Sequence, residues 1–325
     1  MSSQLDMFGP ANISREAARE ARRGHRLLQT TDSEDVCVRR LEETGRYRIL
    51  LKLTPRPIIQ RAASPLPRIG DLVDVETTGL DHAKDEVIEI GMVAFTYDDD
   101  GRIGDVVGVF SALRQPYSPI PPEITKLTGI TDEMVAGKTI SIDEVEAFIE
   151  PADLVIAHNA GFDRPFCERL SPGFVPKAWA CSVSEVQWSE RGFEGTKLGY
   201  LIGQCRYFHD GHRAVDDCHA LLEVLARPGR DGSGTGFADL LQSAQKARIR
   251  IWAENSPYDM KDQLKARGYR WSDGSDGRPK SWWTDVAEED CEDELRFLRT
   301  DIYRWADAEP PTKRLTACDR FKARD

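Results

Sequence analysis

Two carboxylates stand one residue apart at the end of an apolar stretch, in the segment VDVETTGLD. The alternation predicts a β-strand, in which residues two apart project from the same face. Asp74 and Glu76 should therefore point together. Adjacent carboxylates repel each other unless a cation lies between them, and such oxygen-rich pairs are typical ligands of Mg²⁺ or Mn²⁺. So short a motif also matches by chance, and a strand end that opens into solvent is the competing interpretation.

Two further segments add charged groups. HNAGFD follows the apolar run DLVIA and places Asp163 where a helix begins. The positive end of the helix dipole tolerates a carboxylate there. Taken alone, however, Asp163 would more commonly be an N-cap residue. HRAVDDC places His212 before another predicted helix, with Asp216 and Asp217 four and five residues later. All these groups lie at predicted strand or helix ends, where α/β folds gather active-site residues.

Composition restricts the class of protein. At 325 residues the chain exceeds one typical domain, and its 40% hydrophobic residues suffice for a core. Its seven cysteines are scattered and form no CxxC pair, which argues against a disulfide framework or structural zinc and favours a reducing compartment. Without a membrane-length apolar run or a signal-peptide core, the sequence predicts a cytoplasmic protein without membrane contact. The net charge of −11 weakens a nucleic-acid function without excluding it, since bound metal would neutralise carboxylates.

The order of elements predicts an α/β fold. DLVDVET, EVIEIGMVAFTYD and VVGVFSALRQ indicate three antiparallel strands, and DLVIAHN and KAWACSV indicate two more that alternate with helices. This order predicts a mixed five-stranded sheet flanked by helices. Proline- and glycine-rich stretches mark the boundaries. We predict an N-terminal extension and proline-rich linker (1–67), a catalytic domain (68–227), a glycine-rich linker (228–236) and a small α+β, tryptophan-rich C-terminal domain (237–325).

In this order and at these separations, DVETTGL, HNAGFD and H-x4-D resemble the three motifs of the DEDDh 3′–5′ exonuclease family. That family includes the proofreading epsilon subunit of bacterial DNA polymerase III and has an RNase H-like fold. The segment IPPEITKLTGITDEMV resembles the helix and loop that the family places beside its active site. The resemblance covers residues 68–226, about half of the chain, and the motif spacing favours Asp217 over Asp216.

The resemblance implies metal-dependent hydrolysis of DNA from its 3′ end, with release of nucleoside 5′-monophosphates. Two Mg²⁺ or Mn²⁺ ions, roughly 3.5–4 Å apart, would act on the attacking water and the leaving oxygen. Asp74 would bridge both ions, Glu76 and Asp217 would complete the nucleophile-side site, and Asp163 would hold the second ion. His212 would accept the proton of the water, since histidine titrates near neutral pH.

Residues beside the motifs are expected to bind substrate. The TTG turn would let the backbone approach a terminal nucleotide, an apolar residue would wedge or stack against its base, and an amide would bond the sugar or phosphate. For the apolar pair Leu80 and Phe162, core packing is almost as good an interpretation. The predicted substrate-binding residues are Thr77, Thr78, Gly79, Leu80, Asn159 and Phe162.

Five of the seven tryptophans follow residue 250. They would form either a platform for single-stranded nucleic acid or, as we favour, the core of a small module that depends on tryptophan for buried area. Expected partners are single-stranded DNA or DNA 3′ ends, with RNA as the alternative, and a polymerase or sliding clamp. No clear clamp-binding peptide is present, but QLDMFG (4–9) has the composition of one. The predicted role is replication proofreading or DNA repair. Alternatives are an RNA-trimming exoribonuclease and a nuclease-inactive binding or polymerase-associated factor, although all five motif residues are present.

Overall fold

The computed structural model describes residues 33–61, 64–229, 232, 234–274 and 277–323, in a chain that divides into two compact units, 1–51 and 52–325. The predicted clamp-binding segment 4–9 lies outside the described residues. In the first unit, helix α1 (Glu34–Glu43) ends before Gly45, whose φ of +70° favours glycine. The short strand β1 (Leu51–Lys52) stands at the boundary between the units.

A five-stranded sheet forms the centre of the second unit. Its strands are β2 (Arg68–Thr77), β3 (Val87–Tyr97), β4 (Ile103–Leu113), β5 (Leu154–Ala157) and β6 (Trp179–Cys181), in the order β4-β3-β2-β5-β6. The strands β2, β3 and β4 pair antiparallel, whereas β5 and β6 run parallel to β2. The predicted mixed five-stranded sheet is confirmed.

Helices cover both faces of this sheet. They are α2 (Pro122–Thr128), α3 (Asp132–Val135), α4 (Ile142–Ile149), α5 (Ala160–Leu170), α6 (Ser182–Glu185), α7 (Leu198–Gln204), α8 (Ala214–Leu225) and α9 (Gly236–Gln245). A short strand, β7 (Tyr207–Phe208), precedes α8. Because both faces are covered, β3 is buried along its whole length. Ser141 caps α4, since its hydroxyl accepts the Glu144 N–H.

The two faces of β2 enter different cores. Leu72 packs with α8 and α9, whereas Val73 and Val75 pack with α4 and α5. The alternation therefore puts Asp74 and Glu76 on the α8 side of the sheet. Helix α9, whose Phe237 packs in this same core, follows the predicted glycine-rich linker. The predicted domain boundaries stay predictions.

The C-terminal region forms a second, four-stranded antiparallel sheet. Its elements are β8 (Arg248–Glu254), α10 (Lys261–Ala266), β9 (Arg270–Ser272), β10 (Ser281–Ala287), α11 (Cys291–Phe297) and β11 (Thr312–Leu315), and its strand order is β11-β8-β10-β9. Helices α10 and α11 contribute Leu264 and Leu295 to a core with Ile251 of β8. Trp252 and Trp283 are each only 5% exposed, whereas Trp271 and Trp305 are 51% and 61% exposed. Trp252 and Trp283 are therefore buried, as the core interpretation expects, whereas Trp271 and Trp305 are exposed, as the platform interpretation expects. Across the described ranges, every helix is too short or too polar to span a membrane.

Candidate active site and metal centre

Three carboxylates converge where β2 ends beside the first turn of α8. One carboxylate oxygen from each of Asp74, Glu76 and Asp217 lies within 4.8 Å of the other two. We call these three residues the carboxylate cluster. Their side chains are half-buried, so bulk water screens their mutual repulsion incompletely. A cluster of hard, anionic oxygens of this kind suits a divalent cation such as Mg²⁺ or Mn²⁺.

Electrostatics supports the same interpretation. Burial, followed by the charges of Asp163 and Asp217, raises the pKa of Asp74 well above its ordinary value. Burial and then Asp217 and Glu89 raise the pKa of Glu76 to about 8. Without a cation, the ionised forms are disfavoured, first because burial removes them from water and then because they repel one another. A bound divalent ion would reverse this preference, so the residues fit a metal.

Gly91 determines how closely α8 approaches the sheet. It lies opposite Asp74 on β3, and a Cβ atom there would come within 2.3 Å of the backbone nitrogen of Val215 and 2.4 Å of the carbonyl carbon of Ala214. Only glycine allows this contact. Helix α8 therefore begins directly against β3, which brings Asp217 to the two carboxylates of β2. The glycine in EIGM was a signal in the sequence that the motif analysis did not use.

Asp163 lies beside the cluster in the first turn of α5. It is 2% exposed, and its Oδ1 accepts the backbone N–H of Val75 at 3.3 Å. Burial raises its pKa well above the ordinary value, while the hydrogen bonds from Val75 and from its own N–H act in the opposite direction. The helix start is unusual, since Asn159 precedes it with a φ of +84° and an exposed side chain. Asp163 thus contacts β2 from the face opposite α8.

Asp217 is held by two histidines, one of which the sequence analysis missed. The backbone N–H of His212 donates to its Oδ2 at 2.8 Å, and the ring Nε2 of His209 lies 2.7 Å from its Oδ1. His209 is buried, whereas the His212 side chain is exposed at a backbone φ of +64°. Asp216 lines a different cavity, with His209 and His219, and is not among the three converging carboxylates. The structure therefore distinguishes Asp217 from Asp216.

A buried ion pair ties β3 to the start of α8. Glu89 is fully buried directly across from Glu76, and it accepts a hydrogen bond from Arg213 Nη2 at 2.8 Å and from the Ala214 N–H at 3.1 Å. Its charge is therefore compensated by Arg213, the residue that follows His212. An acidic residue within an otherwise apolar strand was the signal for this pair.

The TTG turn after β2 is held by side-chain hydrogen bonds. Thr77 Oγ1 donates to the Gly79 carbonyl at 2.6 Å, and Thr78 Oγ1 accepts the Glu86 N–H at 2.9 Å. A Cβ atom on Gly79 would lie 2.4 Å from an oxygen of the Asp85 carboxylate, so a larger residue there would force that side chain to move. Leu80, next in the chain, is 85% exposed and is not a core residue.

Phe162 differs from Leu80, because it is half-buried. Its ring lies 5.0 Å from that of Phe166 between centroids, and it packs at the edge of the α5 core. Core packing therefore accounts for part of this side chain.

The C-terminal segment anchors α5. The fully buried Arg164, next to Asp163, donates to the carbonyls of Arg320 at 2.7 Å and Cys318 at 2.8 Å. Arg320 in turn pairs with the buried Glu185. These contacts join residues more than a hundred positions apart, and sequence reasoning did not find them.

The chain is similar to known exonucleases and to subunits of DNA polymerase III. Residues 72–225 match a protein-family model described as "Exonuclease". The chain is 39% identical to DNA polymerase III subunit epsilon of Treponema pallidum over 164 residues, which are 47% of this chain and 72% of that protein. It is 37% identical to the PolC-type DNA polymerase III of Bacillus subtilis over 172 residues, 50% of this chain but only 12% of that polymerase. The chain spans 10–12% of the PolC-type relatives that it matches.

Among solved structures, the chain resembles Exonuclease X in complex with 5′ overhanging duplex DNA. The TM-score is 0.37 at 24% sequence identity, and the alignment covers 52% of this chain and 99% of that one. The match to the epsilon subunit is the decisive one, because it covers most of that relative at high identity. The chain therefore belongs to the DEDDh exonuclease family, as its motifs indicated.

Proposed function

We propose that the protein is a metal-dependent 3′–5′ exonuclease that removes nucleoside 5′-monophosphates from the 3′ end of DNA. The observation that carries this proposal is the carboxylate cluster, in which three acidic groups from β2 and α8 converge within 4.8 Å. Three carboxylates held this close repel one another unless a bound cation neutralises their charge. Similarity to a DNA polymerase III epsilon subunit supports DNA as the substrate.

Asp74, Glu76, Asp163 and Asp217 would hold two divalent ions, Mg²⁺ or Mn²⁺. When bound, the ions would supply a nucleophilic water at neutral pH and charge stabilisation at the phosphoryl and leaving oxygens. Burial raises the pKa of Asp74, Glu76 and Asp163 in the metal-free protein, and a bound cation would favour their ionised forms, which are the ligands.

The residues of the chain would then position substrate and move protons. The exposed imidazole of His212 would accept the proton of the attacking water. His209 is not a base in this proposal but holds the Asp217 carboxylate in place through its Nε2 atom.

The groups around the cluster would bind the terminal nucleotide. The turn formed by Thr77, Thr78 and Gly79 would present backbone to the nucleotide, and the exposed Leu80 would wedge against its base. Asn159 would bond the sugar or phosphate, and the accessible part of Phe162 would stack. Recognition by stacking and backbone contacts does not depend on base identity, so the proposed exonuclease is tolerant of sequence.

The wider setting is also a proposal. The catalytic domain would span residues 68–227, and the protein would act in the cytoplasm in replication proofreading or repair. Contact with a polymerase is suggested by the epsilon and PolC-type relatives, and contact of residues 4–9 with a sliding clamp stays a prediction from the sequence.

One experiment tests the activity and the sugar together. The purified full chain is incubated with 5′-labelled single-stranded DNA, and in parallel with RNA of the same sequence, in Mg²⁺, Mn²⁺ or EDTA. We expect a ladder that shortens from the 3′ end of DNA and is abolished by EDTA and by Asp74→Asn. A faster ladder on RNA would make the protein an exoribonuclease. Absence of both ladders would contradict the proposal and favour a binding factor.

A further inference from the structure

A line of aromatic rings and lysines runs along the C-terminal sheet. From Tyr258, Lys261, Lys265, Trp282 and Trp271, which we call the aromatic strip, we infer that this sheet is a binding surface for single-stranded nucleic acid. The inference rests on the proposed nuclease function, because the aromatic strip would bind the same strand whose 3′ end is hydrolysed at the carboxylate cluster.

The two tryptophans of the strip form one stacking site. Trp271 of β9 and Trp282 of β10 lie directly opposite each other in the antiparallel register, so they project from the same face. Their rings are 5.5 Å apart between centroids, at 61°. Trp282 is half-buried against the core of the C-terminal sheet, whereas Trp271, on an edge strand, is 51% exposed. Core packing thus fixes the Trp282 ring, and the adjacent Trp271 ring remains exposed to solvent.

Lysines connect this site to a second exposed ring. Tyr258 is 81% exposed, and Lys261 Nζ lies 4.2 Å from its ring centroid and 2.9 Å from its hydroxyl. One helical turn later, Lys265 Nζ lies 5.8 Å from the Trp282 ring. The two lysines share a face of α10 because they are four residues apart, whereas Asp262, adjacent to Lys261, does not share it. The strip is therefore continuous from Tyr258 to Trp271.

The chemistry of the strip fits single-stranded nucleic acid. Base–aromatic stacking combined with basic groups for the phosphates is the usual mode of binding to such strands. An apolar protein surface would have to desolvate both ammonium groups, so a protein partner fits less well. The strip offers nothing that distinguishes ribose from deoxyribose, and we expect DNA and RNA to bind it alike.

Binding can be measured apart from cleavage. In the full chain with Asp74→Asn, fluorescence anisotropy would follow labelled oligo(dT) and oligo(U) of about 20 nucleotides, long enough for an extended site. Trp271→Ala and Tyr258→Ala should each raise Kd about 5- to 100-fold for both polymers. Trp305→Ala is the matched control, since it removes a tryptophan that is 61% exposed outside the strip, and it should change Kd less than about twofold.

A salt titration tests the lysines separately. Replacing Lys261 and Lys265 together by glutamine should reduce the slope of log Kd against log salt by about 1.4, or about 0.7 for each lost phosphate contact. Arg296→Gln, which removes another exposed cation, should leave the slope unchanged. Unchanged slopes in the double variant would contradict the inference.

A small substrate distinguishes this inference from the proposed function. Hydrolysis of a nitrophenyl ester of thymidine 5′-monophosphate by the protein with Asp74 intact should be the same with and without Trp271→Ala. Equal losses in ester hydrolysis and polymer binding would show damage to the fold and overturn the inference. So would an unchanged Kd for Trp271→Ala, or failure of both polymers to bind. If the ester is not cleaved but the strip variants weaken binding as expected, the proposed function fails and the binding surface stands.

Discussion

The Nε2 atom of His209 lies 2.7 Å from Oδ1 of Asp217. A buried imidazole in this position fixes the rotamer of the carboxylate and leaves its remaining lone pairs for a cation. His209→Ala should therefore reduce the apparent affinity for Mg²⁺ about 10- to 100-fold, measured as the Mg²⁺ concentration that gives half-maximal nuclease rate. His209→Gln, which can still donate a hydrogen bond, should recover part of the loss. If His209→Ala changes the maximal rate but not the Mg²⁺ requirement, the positioning role is wrong.

The stability of the metal-free protein should fall as pH rises. Glu76 has a pKa of about 8 in the folded protein against an ordinary value of 4.5, so folding favours its protonated form. This contribution to stability is fully present below the ordinary value and is lost as pH rises through about 8. In EDTA, the melting temperature should therefore be lower at alkaline than at mildly acidic pH.

Added Mg²⁺ or Mn²⁺ should reverse this trend, and it should raise the melting temperature most at alkaline pH, where the ligands ionise readily. Glu76→Gln provides the control, because it removes one of the titrating groups and should flatten the pH dependence in EDTA. A melting temperature that is independent of pH and of metal would contradict the electrostatic description of the cluster.

Gly91→Ala should reduce both stability and activity. The added methyl group would collide with the backbone at Ala214 and Val215, so α8 must shift and carry Asp217 with it. We expect a loss of about 1–3 kcal/mol in the free energy of unfolding and a much slower nuclease. Gly199→Ala is the matched control, since no atom lies within 4 Å of the new methyl group inside α7. It should increase stability slightly. Equal effects of the two substitutions on activity would refute the proposed packing constraint.

We expect Asp71 to destabilise the folded protein and to have no role in catalysis. It is fully buried on the face of β2 opposite Asp74, and its two carboxylate oxygens have no hydrogen-bond partner in the parts of the chain that the structure describes. Burial raises its pKa well above the ordinary value. Asp71→Val should increase the free energy of unfolding by about 1–3 kcal/mol, measured by chemical denaturation, with the nuclease rate retained. A loss of stability would show that Asp71 has a partner.

The sheet and much of the carboxylate cluster could be predicted because their signals are local. Alternation in VDVET fixes the common direction of Asp74 and Glu76, and the motif spacing selects Asp217. His209, which pairs with Asp217, lies in the loop before α8, where no hydrophobic periodicity indicates a contact. The Glu89–Arg213 pair spans 124 residues, and the anchoring of Arg164 by the carbonyl of Arg320 spans 156. Such contacts depend on how the chain folds back, which a single sequence does not encode locally.

The tryptophans illustrate the same limit. Composition indicated a small domain rich in aromatic residues, but burial differs completely between Trp283, at 5% exposed, and Trp271, at 51%. Trp271 lies on the edge strand β9, whereas Trp283 lies on β10 between two neighbouring strands, so the difference depends on the strand order and register.

We propose that Asp74, Glu76 and Asp217 form the metal centre of a nuclease. The most direct test compares Asp217→Asn with Asp216→Asn in the rate of 3′-end shortening and in calorimetric Mn²⁺ binding. Both substitutions remove one charge from adjacent positions on α8, but only Asp217 belongs to the cluster. Asp217→Asn should lower the rate by about 100-fold or more and weaken Mn²⁺ binding, while Asp216→Asn leaves both nearly unchanged. Equal effects, or a larger effect of Asp216→Asn, would show that Asp217 is not a metal ligand.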